Sequence, residues 1–264
     1  MESETGLVKT GWAQRLVPAL GAAGRSLLDQ VFPPICLGCG VAVGTPDGLC
    51  ASCWGKLTPI SAPLCPVLGL PFAADLGDGA VSAQAIADPP PFDRARSAVA
   101  YTDLARQLVS RMKYGDRPEI AVFCGRMMAA AGYEVLGADA VLVPVPLHPA
   151  RQFARRYNQS TELARAIARL AKCPVNTDLV MRHRHTSRQV GLSARERARN
   201  VEGAFRVNLK ALQRFGGKRA VLVDDVMTTG ATARALTKAL KRAGIAHVDV
   251  LSFARVVFDG EMTI

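Results

Sequence analysis

Ala220-Val221-Leu222-Val223-Asp224-Asp225-Val226-Met227-Thr228-Thr229-Gly230-Ala231-Thr232-Ala233 decides how the rest of the chain is read. Ala220–Val223 is a short apolar run rich in Val, as expected of a strand buried in a parallel sheet. Two carboxylates stand at its carboxyl end, and two Thr and a Gly follow. A helix then begins, with Ala233, Leu236, Ala239 and Leu240 at helical spacing and Gly244 as its stop. Open α/β sheets bind ligands in the loops at the carboxyl ends of their strands. A helix N-terminus preceded by small and hydroxyl residues offers free backbone N–H groups and a dipole to a phosphate. Adjacent carboxylates suit sugar hydroxyls, which donate hydrogen bonds to them. The loop thus joins a ribose grip to a phosphate cradle, as a ribose 5-phosphate requires. Acid pairs at strand ends also bind Mg²⁺ in other α/β folds, but the Thr-Thr-Gly-Ala-Thr continuation adds the phosphate half.

The segment resembles the phosphoribosyl pyrophosphate (PRPP) motif of type I phosphoribosyltransferases: an apolar strand, two acids, two further residues, then Thr-Thr/Ser-Gly. The resemblance implies Asp224 and Asp225 on the ribose 2′ and 3′ hydroxyls. It implies Thr228, Thr229, Gly230, Ala231 and Thr232 around the 5-phosphate, with Val226 and Met227 in the same PRPP loop.

A chain of 264 residues holds one sizeable α/β domain plus a small module. With 49% hydrophobic residues it can fill a core, which excludes wholesale disorder. No apolar run reaches membrane-spanning length. The N-terminus mixes Lys9 and Arg15 with Glu2, Glu4 and Pro18 and has no clean apolar core, so no signal peptide is expected. Seven Cys, four of them in paired spacing, fit a reducing compartment, the cytoplasm, and metal binding better than disulfides. The net charge of +11 is concentrated: residues 151–219 carry 17 Lys/Arg against 4 Asp/Glu, a local +13. Such a middle region serves a polyanionic substrate, nucleic acid or both, or is a solvated basic surface.

Leu7, Val8, Trp12, Leu16, Leu20, Leu27, Leu28 and Val31 give residues 1–31 the pattern of one or two short amphipathic helices, broken at Pro18 and Gly21. Cys36-x-x-Cys39 and Cys50-x-x-Cys53 follow, two knuckles ten residues apart. Four thiolates in this spacing are expected to close a tetrahedral structural zinc site that leaves no open position for catalysis. Cys65-Pro66-Val67-Leu68-Gly69 has the form of a third knuckle with Leu at the second Cys. Ser82-Ala83-Gln84-Ala85 comes next, before a Pro-rich join at Asp88–Pro91.

Knuckles, a Pro-rich join and a phosphoribosyltransferase pattern together resemble the ComF family, the competence protein F-like phosphoribosyltransferases. Its members commonly carry a double zinc ribbon with four Cys-x-x-Cys pairs. Here the second ribbon is expected to be degenerate, with Cys65 alone surviving and Leu68, Ser82 and Ala85 in place of the other ligands. The expected division is a helical segment 1–31, a zinc ribbon 32–91 and a phosphoribosyltransferase domain 92–264.

Within that last domain, Ser97–Tyr101 reads as a strand and Asp103–Lys113 as a helix with Leu104, Leu108, Val109 and Met112 inward. Lys113, at its end, either reaches a phosphate or simply favours the helix dipole. Residues 118–132 read as an apolar helix with Cys124 as a core thiol. Ala140–Val143 reads as a buried strand running into Pro144-Val145-Pro146 and then Arg151, Arg155, Arg156, Tyr157, Asn158 and Gln159. This is similar to the family's Val-Pro-Val-Pro…Arg-Gly-aromatic-Asn-Gln segment, with Arg156 where Gly is usual. Arg182, Thr186, Gln189, Leu192, Arg197, Asn200 and Phe205 follow the family's Arg-x-x-x-Thr-x-x-Gln pattern nearly residue for residue. Ser193-Ala194-Arg195-Glu196 is a capping box, and the Arg-rich stretch before it is a candidate lid.

The fold expected is an α/β type I phosphoribosyltransferase-like parallel sheet flanked by helices, behind a small N-terminal zinc ribbon. The resemblance implies a Mg²⁺-dependent transfer of a phosphoribosyl group from PRPP with release of pyrophosphate. Asp224 and Asp225 would grip the ribose, and Arg156, Arg182 and Arg197 are candidates for the pyrophosphate. The alternative is a non-catalytic PRPP-binding accessory protein of DNA uptake and the competence machinery, contacting single-stranded DNA through its basic middle region. The scarcity of aromatics there weakens base stacking, though not backbone contact. The acceptor base and the oligomeric state are not legible.

Overall fold

The computed structural model describes residues 33–257 apart from 78, 115–116, 150–151, 154–156, 185–192 and 216–217, with the backbone alone at 118, 194 and 197. The expected helical segment 1–31 lies outside the described residues, as does the candidate lid at Thr186, Gln189 and Leu192. The chain divides into two compact units, one ending at Cys50 and one beginning at Ala51.

In the first unit, residues 33–50 form a tight knuckle. Ile35 bridges Ala42 in antiparallel sense. The Cys36 N–H donates to Val41 O (2.8 Å) and the Gly40 N–H to Cys36 O (2.9 Å). Gly40 turns the chain at φ +81°, a conformation that a side chain would strain.

The second unit opens with two short helices, α1 (Ala51–Trp54) and α2 (Ala83–Ala87). Strands and helices then alternate: β1 (Arg94–Ala100), α3 (Asp103–Tyr114), α4 (Pro118–Ala131), β2 (Ala140–Pro144) and α5 (Gln159–Ala171). A hairpin pair, β3 (Val180–Arg182) and β4 (Phe205–Val207), brackets α6 (Ala194–Val201). After α7 (Leu209–Gln213) come β5 (Arg219–Met227), α8 (Ala231–Arg242) and β6 (Val248–Arg255). The main sheet has the order β1-β6-β5-β2, with every neighbouring pair parallel.

Strand β5 is longer than the apolar run that announced it. Its ladder with β6 continues past Val223↔Leu251 to Asp224↔Ser252 and Met227↔Arg255, so the acid pair lies inside the strand. Backbone pairing does not depend on side-chain polarity, and hydrophobic patterning cannot report such an extension.

The two faces of the sheet are covered differently. Helices α4 and α5 pack against each other on one face, and Gly125 makes that possible: a Cβ there would stand 2.5 Å from the Ala166 Cβ. The other face, carrying Val141, Val143, Ala220, Leu222, Val248 and Val250, forms one core with Leu236 and Leu240 of α8 and with Val180 and Phe205 of the hairpin. Cys65, Leu68, Leu70 and Ala85 belong to that same core. At the amino ends of the strands the buried Asp249 pairs with Arg94 (3.0 Å) and Arg219 (3.1 Å). That end is closed by ion pairs, while the carboxyl end is left to the loops. Among the described residues, no helix is long and apolar enough to cross a membrane.

Candidate functional site

The acid pair sits at the carboxyl end of β5, a central strand. Asp225 shares the pleat face of Val221 and Val223, since side chains alternate along a strand. Its side chain is buried, and two donors converge on one of its oxygens. Lys113 Nζ, from the last turn of α3, lies 2.8 Å from Asp225 Oδ2. Gln159 Nε2, from the first turn of α5, donates to that same oxygen at 3.2 Å. Asp224 Oδ1 accepts the Asp225 N–H (2.9 Å) and the Ser160 hydroxyl (3.4 Å). Burial, reinforced by the neighbouring Asp225 charge, pushes the Asp224 carboxyl up to about 7 despite the Asp225 N–H, Lys113 and Ser160. Behind the pair, burial and then the Asp225 charge push the Cys124 thiol well up, as befits the core thiol expected there.

Local sequence explains how Gln159 and Ser160 arrive. Asn158 caps α5, its Oδ1 accepting the Ser160 N–H (3.1 Å), while its Nδ2 donates to Val145 O (3.0 Å). One side chain therefore starts the helix and ties it to the segment leaving β2. The Tyr157 hydroxyl donates to Met112 O on α3, one residue before Lys113. The two elements that serve the acid pair are thereby fastened together.

After the acids, Thr228 and Thr229 lead to Gly230 at φ +72°, from which α8 starts. Gly230 has no capping side chain, so the first N–H groups of α8 stay available to a ligand. The Thr229 Oγ1 is buried with no hydrogen-bond partner among the described residues. A buried hydroxyl left unpaired costs about 1–3 kcal/mol, and a ligand oxygen arriving at this loop relieves that cost.

The arginines expected at the site are placed unequally. Arg156 lies outside the described residues. Arg182 ends β3 buried, with its guanidinium over the Phe205 ring at 5.4 Å from the centroid, so much of it is committed to packing. Arg197 lies on α6, whose capping box forms as expected: the Ser193 hydroxyl accepts the Glu196 N–H and the Glu196 carboxylate accepts the Ser193 N–H. Helix α6 packs on α8. The contacts of Lys113, Gln159 and Ser160 with the acid pair were not foreseen. The Asn-Gln-Ser run after Tyr157 carried a helix-start signal, but nothing local showed which strand end it would face.

The metal centre is separate. The sulfurs of Cys36, Cys39, Cys50 and Cys53 all lie within 4.8 Å of one another. A tetrahedron of Zn–S bonds of about 2.3 Å has edges of about 3.8 Å, so the four ligands fit a zinc ion. Cys39 and Cys50 sulfurs are already 3.6 Å apart. Burial pushes the Cys36 thiol up, but the backbone N–H groups of Cys39, Cys50 and Gly38 outweigh it and hold it down at about 6. A sulfur so solvated is ready to ligate as thiolate.

The later knuckle repeats this backbone without the ligands. Leu64 bridges Pro71, the Cys65 N–H donates to Leu70 O (2.8 Å) and the Gly69 N–H to Cys65 O (2.8 Å), the same offsets as in the first. Ser82 caps α2 as Cys50 precedes α1, and its hydroxyl donates to the Cys65 sulfur at 3.2 Å. Leu68 and Ala85 are buried where the other two thiolates would stand. The knuckle is sewn to the sheet: the Ala95 N–H donates to Val67 O (2.8 Å), and Arg96 and Arg255 donate to Pro66 O and Leu68 O.

Comparison with known proteins bears on both parts. The double zinc ribbon domain matches residues 27–85 and the phosphoribosyl transferase domain residues 158–259. "DNA utilization protein YhgH" of Escherichia coli is 33% identical over 80% of this chain and 91% of its own length. "Competence protein F" of Haemophilus influenzae is 29% identical over 79% and 91%. "Competence protein ComFC" of Bacillus subtilis is 28% identical over 80% and 84%.

Proposed function

Because the chain belongs to the ComF family, we propose that it binds PRPP along Asp224–Thr232 and transfers the phosphoribosyl group to an acceptor. The observation that carries this reading is the juxtaposition on β5 and α8: two carboxylates, then an open helix N-terminus with a buried, unpartnered Thr229 hydroxyl. The acceptor attacks C1 as the bond from C1 to the pyrophosphate oxygen breaks, and the pyrophosphate leaves with the electron pair. Positive charge develops on the ribose ring and negative charge on the leaving group. Asp224 and Asp225 hold the hydroxyls of the ring, while the Thr228–Thr232 loop and the α8 N-terminus hold the 5-phosphate. Arg156, Arg182 and Arg197 receive the pyrophosphate. Arg182, packed on Phe205, supports the hairpin that flanks α6. The Asp pair has no third carboxylate in a metal-sized cluster among the described residues, so Mg²⁺ would ride on the phosphates of PRPP and neutralise their charge. The cytoplasm is the proposed compartment, since the seven free cysteines fit a reducing environment.

The test has two arms. Incubation with PRPP, Mg²⁺ and a panel of nucleobases should release pyrophosphate with one of them. Calorimetry should detect PRPP binding that Asp225→Asn weakens by about tenfold to a hundredfold, a charged hydrogen bond being worth about 1.5–3 kcal/mol. Unchanged affinity in the folded variant would refute the site.

A second reading rests on the local charge of +13 over residues 151–219. A non-catalytic PRPP-binding protein of DNA uptake would contact the single-strand backbone there. Two relatives are named for competence and one for DNA utilization, which supports that setting. PRPP binding without pyrophosphate release against any base would favour it.

A further inference from the structure

Gln159 is placed unlike any other polar residue at the site. It is only 4% exposed, and its amide is split between two fates. The Nε2 donates to Asp225 Oδ2, but the Oε1 is buried with no hydrogen-bond partner among the described residues. The orientation follows from chemistry, since a carboxylate oxygen accepts and the NH₂ side must face it. The protein therefore keeps a strong acceptor idle beside its acid pair, at the N-terminus of a 13-residue helix. The companion oxygen of the pair is also informative. Asp225 Oδ2 already receives both Lys113 and Gln159, whereas Asp225 Oδ1 receives no donor among the described residues. Two unused acceptors, Asp225 Oδ1 and Gln159 Oε1, thus belong to groups in direct contact.

A hydroxyl carries one hydrogen to donate, and a vicinal diol carries two. Asp224 takes one of these, and Asp225 Oδ1 and Gln159 Oε1, two neighbouring acceptors on rigid elements, share the other in a three-centre bond. We infer that Gln159 is a specificity-determining residue of the proposed PRPP site, its Oε1 accepting from the ribose hydroxyl that docks at Asp225. This rests on the reading of Asp224–Thr232 as the ribose 5-phosphate site. A sugar lacking the hydroxyl, or presenting it with inverted geometry, would leave the acceptor buried and idle, and discrimination arises from that residual cost.

The experiment compares ribose 5-phosphate, 2-deoxyribose 5-phosphate and xylose 5-phosphate, the 3-epimer, by calorimetry on the full chain. The wild type should prefer ribose 5-phosphate by about tenfold over at least one analogue, the one whose changed hydroxyl Gln159 reads. Gln159→Met, close in shape but without either polar atom, should shrink that ratio severalfold, leaving the part that Asp225 itself contributes. Gln159→Leu serves as a second variant should the first fail to fold. A merely structural Gln159 would weaken all three sugars together and leave the ratio intact, and that result would overturn the assignment while leaving the PRPP site standing. If the wild type binds neither PRPP nor ribose 5-phosphate, the reading of the site and the role of Gln159 fall together. If the wild type binds ribose 5-phosphate and both analogues equally, the role of Gln159 alone falls.

Discussion

Lowering the pH should loosen the grip of this protein on a ribosyl phosphate, and Asp224 sets the midpoint. Its carboxyl is pushed up to about 7, first by burial and then by the charge of Asp225. A protonated carboxyl donates where the sugar hydroxyl also needs to donate, so binding requires the ionised form. At about pH 8 roughly a tenth of the molecules carry the proton, and at about pH 5.5 nearly all do. Affinity should therefore fall by about thirtyfold between them, or about 2 kcal/mol. The phosphates of the ligand titrate near pH 6 and add their own slope. Asp224→Asn removes the titrating group while its Oδ1 still accepts from the Asp225 N–H and Ser160. The quantity to measure is thus the pH profile of PRPP affinity in wild type relative to Asp224→Asn, by calorimetry. Stability should run the other way. The folded protein keeps a proton that the unfolded chain gives up at ordinary carboxylate pH, so the contribution is present at low pH and is lost as pH rises toward 7. Parallel pH profiles in the two proteins would refute the reasoning.

Three further outcomes are expected. Elemental analysis should find one zinc per chain, lost in Cys36→Ser and kept in Cys65→Ser, because among the described residues only Cys36, Cys39, Cys50 and Cys53 bring four thiolates together. Gly69→Ala should lower the melting temperature far more than Gly40→Ala: both glycines have positive φ, but a Cβ on Gly69 would stand 2.3 Å from Ala95 O, whereas nothing lies within 4 Å at Gly40. The shared left-handed strain costs about 1–2 kcal/mol, and only Gly69 adds a backbone collision. Equal melting shifts would mean that the Cys65 knuckle is not seated on the sheet as described. Any single-stranded DNA binding by residues 151–219 should weaken steeply with added salt, and a salt-insensitive titration would place the contact elsewhere.

How much the sequence disclosed depended on the range of the interaction. Helix α8, its stop at Gly244 and the capping box at Ser193–Glu196 are local events, and spacing announced them. The four-cysteine cluster was legible for the same reason, since two tight turns present ligands in pairs. The reach of β5 through its acids was not legible, because the ladder with β6 joins residues about thirty apart and ignores their polarity. Lys113 had two readings, phosphate ligand or helix-end cation. The structure gives it a third, a bridge to Asp225 across more than a hundred residues of chain. Gln159 belonged to a recognisable run, yet its half-paired amide becomes visible only once α5 and β5 are side by side.

The knuckle at Cys65 has a consequence for how the protein depends on its surroundings. A zinc-held turn is an equilibrium with free metal: its stabilisation rises and falls with the logarithm of zinc activity and vanishes under a strong chelator. Cys65, Leu68, Ser82 and Ala85 hold the same turn by burial and by a hydroxyl–sulfur hydrogen bond, and these are indifferent to zinc supply. That turn is also the one whose carbonyls meet Ala95, Arg96 and Arg255 on the sheet that bears the acid pair. Scarcity of metal would therefore fall on the turn at Cys36–Cys39, while the strand that carries Asp224 and Asp225 keeps its support at any zinc concentration.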